Sequence, residues 1–190
     1  MPSRAVWVAQ TGIFLALLIA AQIVTRPFGN SILTGSVNNM LFILTLMVCG
    51  LSSALILSAI SPVIAFFMGM MPFWPFIPVL IAGNIVLVVL WHFIALRTPQ
   101  NNERHQNNER HQKHPPARHF IAMGVAAVVK FLILFFGIVH IVVPLVLGLE
   151  GPQAGVVSAA FSYPQIITAC IGGILAMLLF PVLRKALPKR

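Results

Sequence analysis

The stretch FIPVLIAGNIVLVVLWHFIAL, residues 76–96, decides the fold class of this chain. It contains no charged side chain, and its one amide, Asn84, stands near the middle. A helix needs about 20 mostly apolar residues to cross the hydrocarbon core of a bilayer. The stretch therefore predicts a transmembrane helix.

Five further apolar runs lie on either side of this one. They cover residues 5–24, 37–49, 53–70, 120–147 and 159–183, and turn-forming or polar residues separate them. Six runs of this kind predict an all-α protein, an integral membrane bundle of six transmembrane helices. We expect residues 1–190 to form a single domain.

Composition supports a membrane protein. Hydrophobic residues make up 59% of the 190 positions and charged residues only 8%, whereas about a quarter of a soluble domain is charged. Lys and Arg number 12 against 3 Asp and Glu. Because the basic residues stand at the ends of apolar runs, they indicate contact with anionic headgroups of a lipid bilayer and not binding to nucleic acid.

The distribution of Lys and Arg predicts the orientation of the bundle. Basic residues concentrate in the cytoplasmic loops of membrane proteins. With a cytoplasmic N-terminus, Arg26 alone faces outside, and Lys130 lies within the fifth run. The cytoplasmic set then consists of Arg4, Arg97, Arg104, Arg110, Lys113, Arg118, Arg184, Lys185, Lys189 and Arg190. The sequence therefore predicts a multi-pass protein of the plasma membrane with both termini in the cytoplasm.

One clearly polar stretch, residues 97–118, interrupts the apolar runs. Within it, NNERHQ at 101–106 is repeated verbatim at 107–112. Low-complexity polar sequence of this kind buries too little apolar area to fold alone. Its histidines allow two interpretations, a metal-binding tract or a solvated linker. Because no compact ligand spacing is present, the sequence favours a cytoplasmic linker and no metal site.

Lys130 is the one charged residue well inside an apolar run. At a rise of about 1.5 Å per residue, it lies about 15–18 Å from the inner end of its helix, near the bilayer midplane. An intramembrane charge is costly and faces a polar cavity or a partner. Two roles are open: binding a substrate carboxylate, phosphate or carbonyl group, or bonding to helix carbonyls in a structural role.

Other polar or aromatic residues are candidates for the same site. Asn84 lies at a depth comparable to Lys130, and it binds a ligand or forms an interhelical hydrogen bond. Asn38 and Asn39 open the second run, where they cap the helix or line a site; capping is expected for one of them, and Asn38 is the candidate for substrate binding. Further candidates for substrate binding, with packing at loop ends or lipid contact as the alternative, are Tyr163, Gln165 and Trp74.

Two of the runs carry a packing or backbone signal. Gly12, Ala16 and Ala20 recur every four residues in the first run, and small residues at this spacing let another helix approach closely. That helix belongs either to this bundle or to a docked partner protein. In the third run, Pro62 is expected to break the helix midway and to free backbone carbonyls.

The runs contain no set of residues suited to catalysis. No Asp or Glu lies inside them, and His92 and His140 each stand alone. Nucleophilic or metal-assisted catalysis needs converging groups, and ion-coupled carriers commonly place acidic groups in the membrane. We therefore expect no enzyme, no cofactor and no catalytic residue.

A combination of motifs resembles one protein family. Over nearly its whole length, the duplicated linker excepted, the chain resembles the substrate-binding S components of energy-coupling factor (ECF) transporters, which are small six-helix membrane proteins. The matching motifs are ALLIA at 16–20, GSVNNM at 35–40, LSAISPVIAF at 57–66, PFIP at 75–78, Gly83-Asn84, AAVVKF at 126–131 and Gly172-Gly173.

The resemblance implies high-affinity capture of a vitamin or related micronutrient for an ABC-type importer. In that family an AxxxA motif on the first helix contacts the coupling subunit, and several members use a helix-five lysine on the substrate; Ala16, Ala20 and Lys130 stand at these positions. The implied partners are a small-molecule substrate, a transmembrane coupling subunit and two ATPase subunits, with the loop at 26–36 closing the pocket. The chain has no Walker sequence, so ATP use is expected in a partner. A self-contained secondary transporter or channel is the alternative function, and a membrane-embedded enzyme is a further one.

Overall fold

Helices account for every regular element in the described part of the chain. The computed structural model describes residues 4–71, 73–96 and 117–186. The NNERHQ repeat, and the polar linker predicted at residues 97–118 apart from its last two residues, lie outside the described residues. The prediction of an all-α protein is confirmed over the ranges described.

The helices follow the predicted apolar runs closely. They are α1 (Arg4–Thr25), α2 (Ser31–Cys49), α3 (Leu51–Phe67), α4 (Phe76–Trp91), α5 (Ala117–Leu134), α6 (Gly151–Ala160) and α7 (Pro164–Ala186). A 3₁₀ turn, Arg26–Phe28, follows α1. α4 and α5 continue in π-helical form over His92–Leu96 and Phe135–Val146.

Within the described ranges, five helical stretches are long and apolar enough to cross a membrane. They cover Arg4–Phe28, Ser31–Cys49, Phe76–Leu96, Ala117–Val146 and Gly151–Lys185. α3 is apolar but has only 17 residues, which corresponds to about 25 Å at 1.5 Å per residue. The hydrocarbon core is about 30 Å thick. Length therefore identifies five spans and leaves α3 as a shorter apolar helix.

α2 is the central helix of the bundle. All six side chains from Leu41 to Leu46 are buried, which is the pattern of a helix covered on every side. Its closest neighbour is α7: a Cβ on Gly172 would stand 2.7 Å from both the Asn39 Cβ and the Ser36 carbonyl oxygen. Only glycine at position 172 permits this approach of the two backbones.

The bundle has two ends, named here by Arg26 and Gly50. At the Arg26 end, Gly69 lies against the Arg26 side chain. Phe76 makes edge-to-face contacts there with Phe73 and Phe161, with ring centroids 5.6 and 5.3 Å apart. The Gly50 end carries the tight α2–α3 turn, where Gly50 adopts φ +95°, a conformation that favours glycine.

Two predicted features of the second and sixth runs are wrong in detail. α2 begins at Ser31, because Asn30 caps it by accepting hydrogen bonds from the N–H groups of Ile32 (2.9 Å) and Leu33 (3.3 Å). Neither Asn38 nor Asn39 is therefore a cap; both lie inside α2. The long helix of the sixth run, α7, begins at Pro164 and not at residue 159, and the separate short helix α6 precedes it. Proline is favoured in the first turn of a helix.

Candidate functional site

Lys130 and Asn84, predicted separately, meet in the core of the bundle. The Lys130 ammonium donates hydrogen bonds to Asn39 Oδ1 at 2.7 Å and to Asn84 Oδ1 at 2.8 Å. The three side chains come from α5, α2 and α4, and each is at most 7% exposed. An intramembrane charge is thus held by two amide oxygens, as the cost of leaving it unpaired requires.

The second-helix residue in this cluster is Asn39, whereas the sequence-based candidate was Asn38. Adjacent helical residues point about 100° apart, and sequence alone gives no reason to prefer one of the pair. Asn39 also donates from Nδ2 to Thr168 Oγ1 at 3.4 Å, and Thr168 in turn donates to the Gln165 carbonyl at 3.0 Å. The cluster therefore extends to α7 through Thr168, which the sequence analysis did not single out.

Pro62 explains why the Ser58 carbonyl on α3 is available to Asn84. Asn84 Nδ2 donates to the Ser58 carbonyl at 3.4 Å. In an unbroken helix that carbonyl would accept from the N–H of residue 62, which is proline and has none. Contrary to the expectation from sequence, α3 runs continuously through Pro62, but the predicted release of a carbonyl explains how Asn84 bonds to α3.

A further amide joins α1 to α3 close to this cluster. Gln22, which is fully buried, donates from Nε2 to Ser61 Oγ at 2.9 Å and approaches the Ser61 carbonyl at 3.4 Å. Ser61 stands one helical turn from Ser58 on α3. We call the set of Gln22, Asn39, Ser58, Ser61, Asn84, Lys130 and Thr168 the polar belt. The sequence signal that could have identified Gln22 is its amide side chain inside the apolar run 5–24.

The polar belt consists of amides and hydroxyls around one lysine. Its single formal charge is Lys130, and the acidic side chain that the structure describes, Glu150, is exposed at the start of α6. Within the described ranges, no group of three or more His, Cys, Asp or Glu residues is placed to hold a metal ion. The belt offers donors and acceptors but no converging acid and base.

In the described part of the chain, the side chains of the remaining substrate candidates form no hydrogen bond with Lys130 or Asn84. The side chains of Trp74 and Tyr163 are each 67% exposed at the Arg26 end. Gln165 uses its side chain to donate to the Ala160 carbonyl at 3.1 Å, across the break between α6 and α7. Asn38 is half-buried on α2, beside Asn39. For these four residues, a role in substrate binding stays a prediction.

The small-residue stripe on α1 faces away from the bundle. Gly12, Ala16 and Ala20 are exposed, and a Cβ added at Gly12 would meet no atom within 4 Å. The buried face of α1 is a different one, made of Thr11, Phe14, Leu18, Gln22 and Thr25. Packing of the stripe within the bundle is therefore wrong, and the stripe is free to contact another protein.

A largely apolar cavity of about 430 Å³ lies at the Arg26 end. It is lined by Phe73, Leu149, Pro152, Gln153, Val156 and Val157. None of these residues belongs to the polar belt. The cavity and the belt are therefore separate features of the bundle.

Comparison with known proteins assigns the family. A family model described as the substrate-specific component of ECF transporters matches residues 10–184, a range that contains the whole polar belt and the α1 stripe. Comparison with curated proteins and with solved structures gives no match. S components are integral membrane transport proteins and not enzymes, and they act with a substrate and with membrane-embedded coupling components. The chain therefore belongs to the family of substrate-specific components of ECF transporters.

Proposed function

We propose that this S component captures a vitamin or related micronutrient at the polar belt and delivers it to an importer driven by two ATPase subunits. The observation that carries the proposal is the set of hydrogen-bond partners around Lys130. Its buried ammonium meets two amide oxygens and no carboxylate among the described residues. The proposed substrate ligands are therefore Lys130, Asn84 and Asn39.

The hydrogen bonding of Lys130 leaves one N–H donor for a substrate group. An ammonium has three N–H donors, and the described partners occupy two of them. A positive charge in the core of a bilayer is stabilised by a facing acceptor or negative charge. A substrate carboxylate, phosphate or carbonyl oxygen at Lys130 supplies what the described residues lack.

The proposed topology combines the helices with the charge bias. We count α3 as a sixth, shorter span of one domain over residues 1–190, and we place both termini and the linker at 97–118 in the cytoplasm. The Lys and Arg distribution supports this orientation. The Arg26 end then faces outside, and substrate enters the belt from that end.

The exposed α1 stripe supports docking of the coupling subunit. Gly12, Ala16 and Ala20 leave a shallow surface on which a second helix can lie close. Since the chain has no Walker sequence, ATP hydrolysis belongs to the partners. Capture and energy supply are thus divided between subunits.

Mass spectrometry of co-purifying small molecules tests the binding role. We expect the detergent-purified protein to retain a small molecule that Lys130→Ala loses. Lys185→Ala is the matched control, because Lys185 is an exposed lysine in the last turn of α7. Equal occupancy in the two variants would remove Lys130 from the site. Uptake by vesicles that contain this chain alone would instead support a self-contained transporter.

A further inference from the structure

Two buried amide oxygens close to the polar belt accept no hydrogen bond. They are Gln22 Oε1 and Asn38 Oδ1. The Gln22 side chain is fully buried, and its Nε2 donates to Ser61 Oγ and approaches the Ser61 carbonyl, which leaves Oε1 without a donor. Buried polar atoms in folded proteins are nearly always paired. These two oxygens therefore need a donor that the described residues do not supply.

Both oxygens belong to residues tied closely to the Lys130 cluster. Gln22 bonds to Ser61 while Asn84 bonds to Ser58, and three helical residues separate Ser58 from Ser61 by about 5 Å along α3. Ser61 is the nearer of the two to the Arg26 end. Along α3, the Gln22–Ser61 bond thus lies about one helical turn from the Asn84–Ser58 bond, on the side from which substrate is proposed to enter.

Asn38 is placed on a different side of α2 from the α7 contact. Gly35, Ser36, Asn39 and Met40 face α7, since Thr168 and Gly172 lie against them. At about 100° per residue, Asn38 points well away from the centre of that face. Its unpaired oxygen is therefore not one that the close α2–α7 packing can satisfy.

We propose that the amide oxygens of Gln22 and Asn38 form a donor-recognising subsite of the substrate site, beside the acceptor-recognising Lys130. This inference rests on the proposed function and narrows its substrate class. The substrate carries an acceptor or anionic group for Lys130 and at least one N–H or O–H donor for the two amide oxygens. A molecule whose only polar feature is a fixed cation matches neither subsite.

The test uses the small molecule that co-purifies with the wild-type protein and is depleted from Lys130→Ala. Its occupancy is measured by mass spectrometry in Gln22→Met and in Asn38→Leu. We expect each variant to bind it about five- to tenfold more weakly, the effect of one lost hydrogen bond. We also expect its structure to contain an N–H or O–H donor beside an acid or carbonyl group.

Thr11→Val is the matched control for Gln22→Met. Thr11 also joins α1 to α3, through a 2.7 Å hydrogen bond to Ser53, but it lies outside the belt. Equal loss of the bound molecule in both variants would assign the effect to α1–α3 packing and overturn the inference. Full occupancy in Gln22→Met and Asn38→Leu, or a bound molecule without a donor, would also overturn it and leave the proposed function intact. A wild-type extract with no enriched molecule would count against the proposed function itself.

Discussion

Lys130 Nζ lies 2.7 Å from Asn39 Oδ1, and this hydrogen bond joins α5 to α2, the central helix. Both side chains are buried, at 4% and 1% exposure. Asn39 passes the connection on to α7 through Thr168. One asparagine therefore orients the only formal charge of the polar belt and links it to the helix most closely packed on α2.

The first prediction concerns this bond. Asn39→Leu removes an acceptor and leaves the buried ammonium with one partner, Asn84. We expect the free energy of unfolding to fall by about 2–3 kcal/mol, because hydrogen bonds to buried charges are among the stronger ones and an unpaired charge is penalised. Unfolding in mixed detergent micelles measures the change.

A double-variant cycle separates this loss from an effect of side-chain shape. The double variant Lys130→Met/Asn39→Leu lacks the buried charge. It is therefore expected to recover most of the stability that Asn39→Leu alone loses. Additive destabilisation by the two substitutions would show that the Lys130–Asn39 bond does not stabilise the bundle.

The second prediction compares two glycines in helices. At Gly172, a Cβ would meet the Ser36 carbonyl oxygen at 2.7 Å and the Met40 backbone nitrogen at 2.8 Å, and neither backbone atom can yield without moving α2. Gly172→Ala is therefore expected to destabilise the protein by about 1–3 kcal/mol, the range for overpacking. Thermal unfolding of the purified protein measures the shift.

Gly12→Ala is the control for this substitution. No atom lies within 4 Å of a Cβ at Gly12, and alanine is favoured over glycine in a helix by up to about 1 kcal/mol. Gly12→Ala is therefore expected to stabilise the protein, whereas Gly172→Ala is expected to destabilise it. A Gly172→Ala protein as stable as the parent would contradict the close α2–α7 approach.

The third prediction concerns the exposed stripe on α1. Ala16→Trp adds a large side chain at an exposed position where the proposed coupling subunit approaches. We expect unfolding to be unchanged and co-purification of the coupling subunit to fall about tenfold or more, which corresponds to about 1.4 kcal/mol of lost binding. Quantitative pull-down with the co-expressed coupling subunit measures the effect.

Leu178→Trp is the control, since Leu178 is 66% exposed on α7, away from the stripe. It adds a comparable ring to another exposed face. If Leu178→Trp weakens association as much as Ala16→Trp does, the stripe has no special role in docking.

Several elements of the site follow from the sequence with little help from the structure. Lys130 and Asn84 stood out because each is a polar residue deep in an apolar run, and such residues must find partners. Pro62 predicted a released carbonyl, and the structure shows Ser58 accepting from Asn84. What the sequence did not show was that these three features belong to one network.

The errors have identifiable physical causes. Asn30 caps α2, but the mixed residues between Asn30 and the apolar run that begins at residue 37 conceal this start in the sequence, so the prediction of a cap at Asn38 or Asn39 is wrong. The choice between Asn38 and Asn39 depends on the rotation of α2 about its axis, and packing against α7 fixes that rotation. Trp74 and Tyr163 are aromatic residues near helix ends, a position that fits the membrane interface as well as a binding site.

The sequence by itself determined the class of protein. Apolar runs long enough to cross a bilayer and a scarcity of charge dictate a helical membrane protein, because backbone polar groups in lipid must be satisfied within each helix. Only the tertiary structure decided which polar residues meet. The close approach of Gly172 to α2 accompanies the helix rotation that brings Asn39 rather than Asn38 to Lys130. Contacts with α3 turn Gln22 of α1 inward, while Ala16 faces out. Those choices arise from packing between distant segments, which no local pattern encodes.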